Sequence, residues 1–252
     1  MNPKVSVIIN ENQTQVPDTT VFPYSAIGQF KLVFKTSSSY MTAWGTGTLI
    51  KSNIVLTAAH NMYNAKEREF INLENSSFAP AINGGDFEDD GYEIKQYWIP
   101  ADYQRIVNEK GENDPEAVRL DYALVELTNP VPADNGVCAM ADPYQDPHAG
   151  QLSISIAGYP VNEESTMWVA KGTVAFDPGH PQDVIRYRID ASAGQSGSAL
   201  LTDSNQIAAI HSGGNNSGAT KDLWYNEGVV LRTATIRIIE AKVLEWENEE
   251  GK

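Results

Sequence analysis

Ser196 stands in a run of small residues, Ala191-Ser192-Ala193-Gly194-Gln195-Ser196-Gly197-Ser198, between two apolar β-type segments at 184–189 and 198–201. The pattern predicts a strand, a tight turn and a strand. Gly194 and Gly197 free the backbone on both sides of the serine, so the turn can aim the N–H groups of Gly194 and Ser196 at one point. That arrangement suits acyl transfer, where a hydroxyl attacks a carbonyl and nearby N–H groups hold the developing oxyanion. A serine hydroxyl is a weak nucleophile, so it needs a base, and the base needs an acid to orient it. Of His60, His148, His180 and His211, only His60 ends an apolar strand pattern, at 54–60, which makes it the leading base. Asp121 opens a near-continuous apolar run, 121–127, that would bury its carboxylate where an orienting acid belongs.

The elements that must hold these residues read as β-structure. Runs at 27–34, 44–50, 54–57, 93–100 and 120–127 alternate with turn-rich segments, and 101–119 is a polar excursion between the last two. Four prolines between 129 and 149 mark a connector. Further runs follow at 152–159, 167–176, 184–189, 198–201, 206–211 and 227–231. Near the end, Ile236, Ile239, Val243 and Trp246 fall at helical spacing and predict a helix over 235–247 with one apolar face packed on a barrel. Residues 1–23 form a polar N-terminal arm with a β-prone patch at 5–9.

The order His60, Asp121, Ser196 is that of a chymotrypsin-type triad. Thr57-Ala58-Ala59-His60, Asp121-Tyr122-Ala123-Leu124 and Gly194-Gln195-Ser196-Gly197-Ser198 resemble the three signatures of chymotrypsin-fold serine proteases. Gly45-Thr46-Gly47-Thr48-Leu49-Ile50, Gly158-Tyr159-Pro160, Met167-Trp168 and Ile210-His211-Ser212-Gly213-Gly214 extend the resemblance to the bacterial glutamyl endopeptidase branch, the V8 protease-like enzymes. The resemblance implies an all-β, trypsin-like fold of two six-stranded antiparallel β-barrels with a C-terminal α-helix. The expected parts are an arm at 1–23, a first barrel at 24–128, a connector at 129–149, a second barrel at 150–232, and the helix and tail at 233–252.

It also implies a serine endopeptidase that cuts after Glu or Asp without a cofactor or metal. His211 is similar to the residue that recognises glutamate, with Ser192, Ser212, Gly213 and the amine of a processed Val7 as further substrate contacts. Ala191 stands where the family commonly has a hydroxyl residue. Asp190 stands where trypsin-like enzymes carry the acid that selects Arg or Lys, so cleavage after basic residues is an alternative. A catalytically silent peptide-binding homologue is another. Gln195 replaces the acid by which trypsin-like zymogens are switched, so that switch is not expected here.

The resemblance implies protein or peptide substrates, and composition excludes other partners. A net charge of −15 argues against nucleic acid and against anionic membrane surfaces. No apolar run approaches the roughly 18 residues of a membrane helix, and the first 15 residues lack a signal-peptide pattern. The resemblance nevertheless implies a secreted enzyme, and a monomer is expected. The single cysteine, Cys138, permits no internal disulfide. The acidic cluster Asp86, Glu88, Asp89 and Asp90 lacks EF-hand spacing and reads as a solvated loop.

Overall fold

Apolar alternation in the first half produces strands that close on themselves. In the computed structural model, which describes residues 5–85, 87, 91–145, 150–180, 182–217 and 220–250, β1 (Thr14–Gln15) lies in the N-terminal arm. β2 (Ile27–Lys35), β3 (Tyr40–Lys51) and β4 (Ile54–Thr57) follow, then a small hairpin of β5 (Tyr63–Asn64) and β6 (Glu69–Phe70). With β7 (Ser77–Pro80), β8 (Tyr92–Trp98) and β9 (Ala123–Leu127), a closed antiparallel barrel runs β2-β3-β4-β9-β8-β7. Phe30 and Phe78, fully buried with ring centroids 4.8 Å apart, fill its interior. The excursion at 101–119 holds two short helices, Tyr103–Lys110 and Pro115–Val118. Asp114 caps the second by accepting from Glu116 N–H at 2.9 Å, with Pro115 at its first turn. The acidic cluster at 86–90 and His148 lie outside the described residues.

The second half contributes β10 (Leu152–Gly158), β11 (Trp168–Val174), β12 (Val184–Tyr187), β13 (Ala199–Thr202), β14 (Ile207–Asn215) and β15 (Tyr225–Val230). These six strands carry β1 as a seventh and hydrogen-bond in the order β1-β11-β10-β13-β14-β15-β12. The expected second barrel is therefore an open antiparallel sheet in its hydrogen bonding. The reason lies in the arm: β1 pairs with the edge strand β11, and at the other edge the chain beyond β12 bonds to the arm as well, through Ala191 N–H to Val7 O at 3.2 Å. The β-prone patch at 5–9 adds only an isolated antiparallel bridge, Val5 to Gly214.

The two modules meet at Tyr159, whose buried hydroxyl donates to Ile82 O at 2.9 Å and whose N–H donates to Thr46 Oγ1 at 3.1 Å. The connector is tied to both sides, since Cys138 N–H donates to Leu49 O and Ala141 N–H to Ile207 O. Burial pushes the Cys138 thiol up to about 12, so it remains an inert core group.

The C-terminal helix, Thr233–Glu250, buries Ile239, Val243 and Trp246 in the same core as Leu49 and Cys138. Asp142 receives its first turn, accepting from Thr233 N–H at 2.8 Å and Thr233 Oγ1 at 2.9 Å, with Tyr144 N–H on the other oxygen. Burial alone would raise this carboxyl, but these donors and the neighbouring Arg232 hold it below its ordinary value. A carboxyl with a lowered value in the folded state stabilises at neutral pH, and that stability fades as pH falls below about 4, the unfolded value, through the lower folded one. Asp142→Asn should therefore lower urea resistance at pH 7, and the gap to wild type should close on acidification. A gap independent of pH would assign the effect to shape rather than charge.

Candidate active site

Asp121 is fully buried just ahead of β9, and a carboxylate there keeps its charge only if donors surround it. Three are supplied from both modules. His60, in the turn Ala59–Asn61 after β4, gives its N–H to Oδ1 at 2.9 Å and its ring Nδ1 to Oδ2 at 2.8 Å. Ser212, on β14, donates its hydroxyl to Oδ2 at 2.5 Å. Tyr103 is buried nearby; its burial and then the Asp121 charge push its phenol well above the ordinary range. With Nδ1–H committed to the carboxylate, the imidazole presents its lone pair at Nε2. Nε2 is buried and has no hydrogen-bond partner among the described residues.

Ser196 lines a cavity of about 340 Å³ together with His60 and Asn61. Its loop is held by carbonyls. Ser196 O accepts from Thr46 N–H and from Asn61 Nδ2, both at 2.9 Å, and Gly194 O accepts from Thr46 Oγ1 at 2.8 Å. Ala193 O accepts from Val161 N–H at 2.9 Å, and Gly197 N–H donates to His211 O at 2.9 Å. Gly194 and Gly197 take φ of +95° and +88°. A side chain at Gly194 would collide with Tyr159 O, and one at Gly197 with Thr46 O and Thr57 Oγ1. Both glycines are therefore required by handedness and by space. The N–H groups of Gly194 and Ser196 donate to nothing else among the described residues.

The residues expected to contact substrate divide into two groups. His211 is fully buried on β14, with Tyr187 Oη 2.6 Å from Nδ1 and Ser6 Oγ 2.8 Å from Nε2. Burial, then the Glu227 charge, raise the Tyr187 phenol well above its ordinary range, so it stays protonated beside the ring. Gly213 pairs with Glu227 beyond a bulge that also contains Ser212. Val7 is an internal amide here, its N–H on Asn226 Oδ1 at 2.8 Å.

The other group is consumed by the arm. Asp190, fully buried, accepts N–H groups from Ile9 at 2.6 Å and from Asn10 and Asn12 at 2.8 Å, so its carboxylate is spent on the arm and not offered to a basic side chain. Ser192 Oγ donates to Gln13 Oε1 at 2.8 Å, while Ala191 offers only its N–H, to Val7 O. Ser212, expected at the substrate, turns its hydroxyl on Asp121 instead.

Sequence reasoning missed Asn61, Thr46, Tyr187, Asn226 and Gln13. Asn61 directly follows the His60 motif and Thr46 lies within the quoted Gly45–Ile50 stretch, but neither was given a role. Nothing local marks Tyr187 or Asn226, whose partners lie 24 and 219 positions away. Asn61→Ala removes one of the two donors to Ser196 O and the donor to Thr57 Oγ1, leaving Thr46 bonded to both, and should cost about 0.5–1.5 kcal/mol, measurable in urea. Unchanged stability would mean that Thr46 alone holds the loop.

Comparison with known proteins agrees with this geometry. A glutamyl endopeptidase of Bacillus licheniformis is 26% identical over 88% of this chain, and one of Staphylococcus aureus strain MRSA252 is 22% identical over the same share. The chain spans 64% and 56% of those relatives' length. Among solved structures, a Glu endopeptidase in complex with MPD matches with a TM-score of 0.71 and 23% identity, covering 94% of this chain and 99% of that one. Protease Anisep from Arthrobacter nicotinovorans matches with a TM-score of 0.62 and 18% identity over 88% of this chain and 94% of its own. Both share the fold. Residues 45–210, which hold the His60 turn, Asp121 and the Ser196 loop, match the trypsin-like peptidase domain, and the chain belongs to that family.

Proposed function

We propose that the chain is a serine endopeptidase in which Ser196 is the nucleophile, His60 the general base and Asp121 its orienting acid. The observation that carries this reading is the buried Asp121 carboxylate holding His60 Nδ1 at 2.8 Å, with His60 and Ser196 lining one cavity. His60 Nε2 takes the Ser196 proton, the alkoxide attacks the scissile carbonyl, and His60 later gives the proton to the leaving amine. The N–H groups of Gly194 and Ser196 form the oxyanion hole, each donor worth about 3–4 kcal/mol. No hydrogen bond joins Ser196 Oγ to Nε2 among the described residues. Such bonds tighten in the complex with substrate.

The preferred residue on the acyl side is Glu. His211 Nε2, with Tyr187 behind it, becomes the donor to a bound carboxylate that takes the place of Ser6. Glutamyl endopeptidases among the relatives support the same reading. Val5 bridges Gly214 and Ser6 sits on His211, so these two residues occupy the acyl-side pocket and the chain before Val7 must be cleaved off before a glutamate can enter. Val7 then becomes the terminus, and its amine lies near that pocket. The natural substrates are proteins or peptides met outside the cell, the enzyme acting as a monomer without metal or cofactor.

The test is a casein digest mapped by mass spectrometry, using the full chain, a chain starting at Val7, and each with Ser196→Ala. Cuts after Glu are expected from the shortened chain, falling about 10⁴–10⁶-fold with Ser196→Ala. Equal cutting by the full chain would refute the blocking role of the chain before Val7. Cuts that survive Ser196→Ala, or none from any form, would refute the nucleophile and favour a peptide-binding homologue.

A further inference from the structure

Two tight turns carry the nucleophile loop, and they meet at Gln195. Gln195 N–H donates to Ser192 O at 3.0 Å, closing a turn over Ala193 and Gly194, and Ser198 N–H donates to Gln195 O at 3.0 Å, closing a second over Ser196 and Gly197. What the first turn can do depends on how the 193–194 peptide is rotated. The C=O and N–H of a planar trans peptide point in opposite directions. With Ala193 O on Val161 N–H, Gly194 N–H faces away from Val161 and is left for an oxyanion. Gly194, at φ +95°, takes the left-handed third position that a type II turn requires. Rotation of the peptide toward a type I turn would put a carbonyl where the donor belongs.

The side chain of Gln195 is fully buried, and its oxygen accepts twice, from Ser192 N–H at 2.7 Å and from Gln13 Nε2 at 2.6 Å. Its Nε2 donates to Trp168 O at 3.3 Å. The same Gln13 amide takes the Ser192 hydroxyl on its own oxygen at 2.8 Å. One amide of the arm thus grips both ends of the turn, 192 and 195. That amide is itself held, because Asp190 binds the N–H groups of Ile9, Asn10 and Asn12 just before it and β1 pairs with β11 just after it. Resting on the mechanism proposed above, we propose that Gln13 is a positioning residue for the oxyanion hole: through Gln195 and Ser192, its amide keeps the 193–194 peptide in the donating orientation. The clasp is made of neutral groups that lie beyond Val7, so it is complete before the preceding residues are removed. Latency of the full chain then resides in the occupied acyl-side pocket, and the nucleophile itself is ready.

A short-chain dialkyl fluorophosphate reads the nucleophile and the oxyanion hole without a side chain in the pocket at His211. Ser196 Oγ bonds to phosphorus, fluoride leaves, and His60 takes the proton. The full chain and the chain starting at Val7 should label at rates within about twofold of each other. Gln13→Ala should slow labelling of both about tenfold, the loss expected when hydrogen bonds to a buried amide are removed. Gln13→Met keeps the length of the side chain without its hydrogen bonds and should give the same loss if Gln13→Ala does not fold. In a Gln195→Ala background, Gln13→Ala should cost only about twofold, since the partner it holds is gone. Labelling of folded Gln13→Ala at the wild-type rate, with urea resistance alone reduced, would make Gln13 an anchor of the arm and overturn the positioning role while leaving the nucleophile in place. Labelling of the full chain far more slowly than the chain starting at Val7 would overturn it too. A wild-type protein that labels in neither form loses the nucleophile and the positioning role together.

Discussion

A carboxylate with no exposure to water constrains this molecule more than any other group. Asp121 is stable there only because donors surround it, two from His60 and one from Ser212 among them, and these come from opposite modules. The charge therefore does two jobs. It docks β14 of the open sheet against the turn that follows β4 of the barrel, and it fixes which nitrogen of His60 carries the proton. The helices at 103–118 serve the same end, bringing the buried Tyr103 beside the carboxylate and sealing it from solvent.

Asp190 repeats the logic at the other end of the site. Its buried carboxylate gathers three consecutive-region N–H groups of the arm, at Ile9, Asn10 and Asn12. Gln13 and Gln195 extend the anchorage, Nε2 of the first donating to Oε1 of the second at 2.6 Å. In that way the arm occupies the open edges of the second sheet, and its first described residues reach His211. An acid that could select basic substrates on an unoccupied wall is here a structural anchor.

Strands were legible because burial imposes a period that the chain must obey. β2, β4, β10 and β14 begin within a residue of where apolar alternation places them, and the C-terminal helix follows its spacing of Ile236, Ile239, Val243 and Trp246. β7, only four residues long, and the helix Tyr103–Lys110 were not legible. Ser77–Pro80 is too short to show a period, and the helix has three buried residues among polar ones, so its face is defined by what it covers.

The sequence by itself determined the local settings of His60, Asp121 and Ser196, because the tight loop at Ser196 needs Gly194 and Gly197 and a buried acid needs an apolar strand. These are local demands that neighbouring residues express. Only the tertiary structure decided what His211, Asp190, Ser192 and Ser212 do. Each can accept or donate to several partners, and the choice among an arm, a carboxylate and a substrate depends on segments roughly 90 to 205 positions away being folded against them.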